Sequence, residues 1–226
     1  MNAVLHPMLA LAYAVLIGYG MAVRRRGAPA GLCLALLAVT AALMWDNLVL
    51  AAGAWAEAGE GFERVHISRF LLHACVTPLL VPASLAFVRL AGAEWAGRAW
   101  AVTAAALLTI GLIALELAVS VARLRLEPVF DHGILTYVPA GRSAAGGWMI
   151  AVVMAALLAA GWIVFRRGGP AAPLAASLAM LCGGGLAPLV GVPSLHNLFE
   201  LALAASLWFA LDRMAVRTPR LSRTGG

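Results

Sequence analysis

Apolar runs close to the length needed to cross a bilayer recur along this sequence from one end to the other. The hydrocarbon core of a membrane is about 30 Å thick and an α-helix rises about 1.5 Å per residue, so a run of about 20 apolar residues spans it. The runs predict seven transmembrane helices: Ala3 to Val23, Gly31 to Gly53, Ile67 to Leu90, Ala99 to Val121, Trp148 to Phe165, Ala171 to Leu189 and Leu195 to Leu211. Such repetition leaves little choice of fold. Inside lipid every backbone polar group must find a partner within the protein, which a helix supplies for itself. The expected fold class is therefore all-α, a polytopic membrane helix bundle.

Composition agrees where it is needed. Of 226 residues 63% are hydrophobic and 12% are charged, with a mean hydropathy of +0.94. Soluble domains carry about 25% charged residues. The membrane domain is expected to occupy residues 1–212, followed by a basic, disordered tail over 213–226 that is drawn to anionic lipid heads. The first segment is expected to be a retained helix, because Arg24, Arg25 and Arg26 follow it and no basic stretch precedes it.

All sixteen basic residues are arginine. The absence of lysine excludes Schiff-base chemistry, covalent retinal included. A net charge of +6 invites a nucleic-acid partner, but the arginines cluster beside apolar segments, where topology signals belong. No nucleic-acid partner is expected. With the N-terminus outside, eleven arginines fall on the inner side and five on the outer, which predicts a cytoplasmic C-terminus and a multi-pass cell-membrane location. Cys33, Cys75 and Cys182 all lie in apolar segments without close spacing, and are read as packing residues.

Local signals refine the helices. Pro78 and Pro82 predict a kink or break in the third. Gly183, Gly184 and Gly185 predict close backbone contact in the sixth. The connection over 122–147 alternates apolar and polar residues, and two readings stay open for it: a lid lying over the bundle, or a plain solvated loop.

An ionisable group in hydrocarbon costs about 2.5 to 3.5 kcal/mol on insertion scales, so each needs a reason. The apolar segments carry Asp46, His73, Glu116, His196 and Glu200, with His6 and Arg69 near helix ends and Asn47 and Asn197 beside them. Counting along the helices, all fall in the outer half. His196 and Glu200 are four apart, His66, Arg69 and His73 form a stripe, and Glu116 shares a face with Ser120 and Arg123. One outward cavity would satisfy these demands. Asp46, Glu116, His73, His196 and Glu200 are the candidate catalytic residues. Trp45, Asn47, Arg69, Phe70, Asn197 and Phe199 are candidate substrate contacts. The structural alternative pairs Asp46 with Arg69 or His73, Glu116 with Arg123 unless it stays protonated, and His196 with Glu200.

A carboxylic acid in an apolar pocket is a candidate proton donor, which suits Asp46 and Glu116; His73 and His196 are candidates to accept or shuttle protons. The leading expectation is an enzyme acting on a lipid or isoprenoid substrate, with no metal and no other cofactor. Aromatic rings such as Trp45, Phe70, Trp148 and Phe199 would stabilise a developing carbocation. In size the chain is similar to small membrane terpene cyclases, without a matching motif. A second expectation is a metal-dependent lipid hydrolase using Asp46, His73, His196 and Glu200 as ligands. The seven-helix plan is similar to that of alkaline-ceramidase-type hydrolases, but the last helix reads His196-Asn197-Leu198-Phe199-Glu200 and has no second histidine four residues on. Haem between His73 and His196 is a related possibility, one that leaves the carboxylates without a purpose. The third is a transporter or membrane sensor, which would call for polar residues in the inner half as well.

Overall fold

The computed structural model describes residues 2–141, 144–186 and 194–217. Eight α-helices and one β-hairpin follow in chain order: α1 (Asn2–Arg25), α2 (Ala30–Ala52), α3 (Glu60–Val76), α4 (Leu80–Leu90), α5 (Ala99–Leu115), β1 (Leu126–Asp131), β2 (Ile134–Pro139), α6 (Ala144–Arg166), α7 (Ala172–Leu186) and α8 (Leu195–Arg217).

Among the described residues, five helical spans are long and apolar enough to cross a membrane: Asn2–Arg25, Ala30–Ala52, Glu60–Leu90, Ala99–Val121 and Ala145–Arg166. Much of their apolar surface is not used for packing. Only 17% of the Ala99–Val121 span is buried inside the protein, so most of its side chains need lipid rather than water around them. Val4, Met8, Leu11 and Val15 of α1 and Leu107 and Ile110 of α5 are exposed in the same way. The protein is a multi-pass membrane helix bundle. α7 carries a shorter apolar stretch, Ala172–Gly184. α8 is as long as a span but interrupts its apolar sequence with His196, Glu200, Asp212 and Arg213.

The break expected in the third apolar segment is a 3-10 turn, Thr77–Leu79, between α3 and α4. Pro78 explains it, since proline has no N–H and its ring crowds the carbonyl one turn back. The Thr109 hydroxyl of α5 shares its proton between Ala105 O (2.8 Å) and Pro78 O (3.4 Å).

The core gathers around α8. Trp208 is fully buried among residues of α1, α2, α4 and α6 that include Val23, Leu36, Phe87 and Val153. Its Nε1 donates to Thr40 Oγ1 at 3.0 Å, and that hydroxyl donates to Leu36 O at 2.7 Å. Gly20 of α1 faces the indole so closely that a Cβ there would lie 2.6 Å from Trp208 Cζ2. Two glycines of α7 sit against side chains of α8. Gly183 abuts the ring of Phe199, and Gly184 faces His196. All three cysteines are free; Cys33 is buried and Cys182 exposed.

The two ends of the bundle differ. At one, Arg26 pairs with Asp212 (3.0 Å), which also accepts from Tyr19 (2.8 Å), and Arg167 donates to Gly92 O (2.8 Å). α8 runs beyond Leu211 to Arg217, so Asp212 of this ion pair stands on the helix. The other end is covered by the hairpin.

Of the two readings left open for 122–147, a plain loop does not describe the result. β1 and β2 pair antiparallel, with Asp131 opposite Ile134. The two-residue turn uses His132 (φ 46°) and Gly133 (φ 90°), both left-handed, as a tight hairpin turn requires. Leu135 N–H donates to Gly53 O at 2.8 Å, and Gly53 meets the Leu135 carbonyl where any side chain would collide. Asn2 Nδ2 donates to Asp131 Oδ2 (2.9 Å). The Tyr137 hydroxyl accepts from Gly59 N–H (2.9 Å) and donates to Gly59 O (3.2 Å). The hairpin thus holds together the start of α1, the end of α2 and the start of α3.

Candidate functional site

Beneath the hairpin lie two hydrogen-bonded groups of polar side chains. In the first, Arg69 Nε of α3 donates to Asp46 Oδ1 of α2 at 2.7 Å, and Arg69 NH1 donates to His66 Nδ1 at 2.9 Å. A guanidinium only donates, so Nδ1 of His66 is the acceptor and its proton is on Nε2. That nitrogen is buried without a hydrogen-bond partner. The ring packs against Phe62 (4.7 Å between centroids) and Tyr137 (5.3 Å), so the hairpin touches the stripe directly.

The second group joins α1, α2 and α8. Asn47 Oδ1 accepts from His6 Nδ1 (3.0 Å) and Asn197 Nδ2 (3.2 Å), while Asn47 Nδ2 donates to Leu43 O (2.9 Å). His196 Nε2 lies 3.5 Å from Glu200 Oε1, as their spacing predicts. Trp45 points aside and donates to Ser68 Oγ at 2.9 Å.

Among the described residues, the Glu116 side chain has neither kind of partner. It opens a π-helical turn, Glu116–Val121, that ends α5, in which Ala122 N–H reaches back to Leu117 O at 2.9 Å. Such wide turns are rare and often mark functional positions. The Glu116 side chain is 3% exposed, and its Oε2 is buried with no hydrogen-bond partner. Gly146 of α6 lies against Oε1.

Three cavities surround these groups. The largest, about 620 Å³, is walled by Glu116, Ser120, Arg123 and Arg125 on one side and by Phe70, His73, Met149 and Ile150 on the other, with Pro139 and Ala140 of the hairpin at its edge. Its size is that of a typical small-molecule site. A minor cleft of about 20 Å³ contains Asp46, Arg69 and His73. An apolar cavity of about 80 Å³ runs between α2, α6 and α8, lined by His73, Leu80, Met154, Leu157, His196 and Glu200. His73 lines all three.

Thus Asp46, Glu116, His196 and Glu200 lie at one end of the bundle but not in one chamber; His73 is the wall they share. Of the two carboxyls read as proton donors, Asp46 is held by Arg69, and Glu116 has a buried oxygen without a hydrogen-bond partner. Phe70 lines the main cavity, with the Arg69 guanidinium 5.7 Å from its ring centre. Phe199 packs on Gly183, away from Glu116. Among the described residues no three His, Cys, Asp or Glu side chains are gathered so as to hold a metal ion, so the set Asp46, His73, His196 and Glu200 is not assembled as ligands. Sequence reasoning missed Arg125, Tyr137, Gly146 and Met149. The alternation around Tyr137 was the only signal available for any of them. No family model matches this sequence, and no curated protein matches it either.

Proposed function

We propose that this protein is a membrane enzyme acting on a lipid or isoprenoid substrate by acid–base chemistry in the 620 Å³ cavity. The observation that carries the reading is the buried, unpartnered Oε2 of Glu116 in the wall of a chamber that His73 also lines. A group buried without a partner is destabilising by about 1–3 kcal/mol, so its retention calls for a use. Glu116 gives a proton to the substrate and His73 takes one from it. One proton given and one taken leave the substrate's composition unchanged, as in an isomerisation or a cyclisation. Phe70 supplies an aromatic face beside the reacting carbons. The apolar cavity beyond His73 holds chain.

The proposed topology has seven spans, the N-terminus outside and the C-terminus in the cytoplasm, which puts the cavity in the outer half of the membrane. Asp46, His196 and Glu200 then act around His73 rather than on the substrate in the main chamber.

The test is Glu116→Gln, which keeps shape and removes the transferable proton. Turnover on a panel of prenyl and acyl lipids should fall by about 100-fold or more, the usual contribution of a general acid, with the melting temperature almost unchanged. Activity that survives in E116Q, or that falls only in step with stability, defeats the proposal.

A further inference from the structure

The main cavity has a polarity that the acid–base reading does not use. Its deep wall carries Glu116, and its rim carries Arg123 and Arg125 on the segment that follows the π turn. Both arginines are exposed, and neither forms an ion pair or side-chain hydrogen bond with any described residue. The segment is fixed in place, because the Arg125 carbonyl accepts from Ala140 N–H at 2.9 Å at the end of β2. Two guanidinium groups against one carboxyl give the cavity lining an excess of positive charge at its mouth. Among the described residues, the other arginines at this end are already engaged: Arg64 with Glu60 (3.2 Å) and Arg69 with Asp46.

We infer that Arg123 and Arg125 bind the anionic headgroup, phosphate or carboxylate, of a single-chain amphiphile whose apolar chain enters the cavity past Phe70 and Ile150. Guanidinium groups match oxyanions by paired, charge-assisted hydrogen bonds, and this exposed pair has no competing partner among the described residues. The chain contacts are apolar: Phe70, Val119, Leu124, Met149 and Ile150 line the same space. Headgroup at the rim and chain inside bring the middle of the molecule to Glu116. This rests on the cavity being the substrate site, and it names the substrate class.

The experiment measures binding to the full-length protein in neutral detergent by native mass spectrometry. The probes are a matched pair, myristoyl lysophosphatidate and monomyristoyl glycerol, which differ by one phosphate. Lysophosphatidate should bind roughly tenfold tighter or better. R123Q and R125Q should each weaken that preference and the double variant should abolish it, with monomyristoyl glycerol binding unchanged, while R64Q keeps it. Melting temperatures of all variants accompany the titrations, and the two single variants stand in should the double one fold poorly. Equal binding of the two lipids overturns the inference, as does a preference that survives in R123Q/R125Q or disappears in R64Q. Displacement of lysophosphatidate by inorganic phosphate at similar concentration overturns the amphiphile assignment and leaves a free-oxyanion site instead. If the headgroup preference holds while E116Q keeps full turnover, the catalytic reading fails and this one stands.

Discussion

Arg69 holds Asp46 across the gap between α3 and α2 at 2.7 Å, and the guanidinium that does so also donates to His66. The carboxylate is thereby the anchor of a chain that continues through the His66 ring to Tyr137 of the hairpin. Asp46→Asn should leave Arg69 without its counter-charge and lower stability by about 1.5–3 kcal/mol, the range for hydrogen bonds to charged groups. Arg69→Gln should do the same, and the double variant should lose less than the sum of the two. Thermal unfolding of the three variants decides; additive losses would mean that the pair does not act as a unit.

Gly20 and Gly18 make a paired test of the core. A Cβ at Gly20 would lie 2.6 Å from Trp208 Cζ2, and the indole is fixed by its bond to Thr40. Gly20→Ala should therefore destabilise by about 1–3 kcal/mol through overpacking. Gly18 has open space around it. Gly18→Ala should be neutral or stabilising by up to about 1 kcal/mol, the helix preference of alanine over glycine. Melting curves in one detergent compare them directly.

Undocking the hairpin should be possible without unfolding the bundle. Gly53→Ala places a methyl group against the Leu135 carbonyl. Backbone amides over 126–139 should then exchange with solvent faster, while those of α6 and α8 stay protected. Hydrogen exchange read by mass spectrometry reports both at once, and unchanged protection of the hairpin would refute the docking role of Gly53.

The arginine distribution predicts orientation. Reporter fusions should place the N-terminus outside and the C-terminus in the cytoplasm. A cytoplasmic N-terminus would move the Glu116 cavity to the inner leaflet and reverse the side from which a substrate enters.

Much of this was legible in the sequence because the forces involved are local. Apolar runs marked the helices, Pro78 marked the break, Gly183 marked a close approach, and a four-residue spacing put His196 beside Glu200. Depth put Asp46 level with Arg69 and His73, since an ion in hydrocarbon needs an opposite charge at its own level, and the structure pairs it with Arg69. The hairpin was not legible. Its alternation was visible, but its contacts join Leu135 to Gly53 and Tyr137 to His66, far apart in the chain. The division of one expected cavity into three has the same cause. Depth along a helix is a one-dimensional property, whereas the position of His73 between chambers depends on how α2, α3, α6 and α8 pack around it.

The hairpin also sets an order on biogenesis. Asn2, Gly53 and Gly59 belong to the first third of the chain, yet the groups that satisfy them, on Asp131, Leu135 and Tyr137, leave the ribosome only after α5. Until then the nascent helices are inserted in lipid without the clasp that closes their ends. A chain terminated before Leu126 would carry four apolar spans permanently in that unlatched state, a natural substrate for membrane quality control.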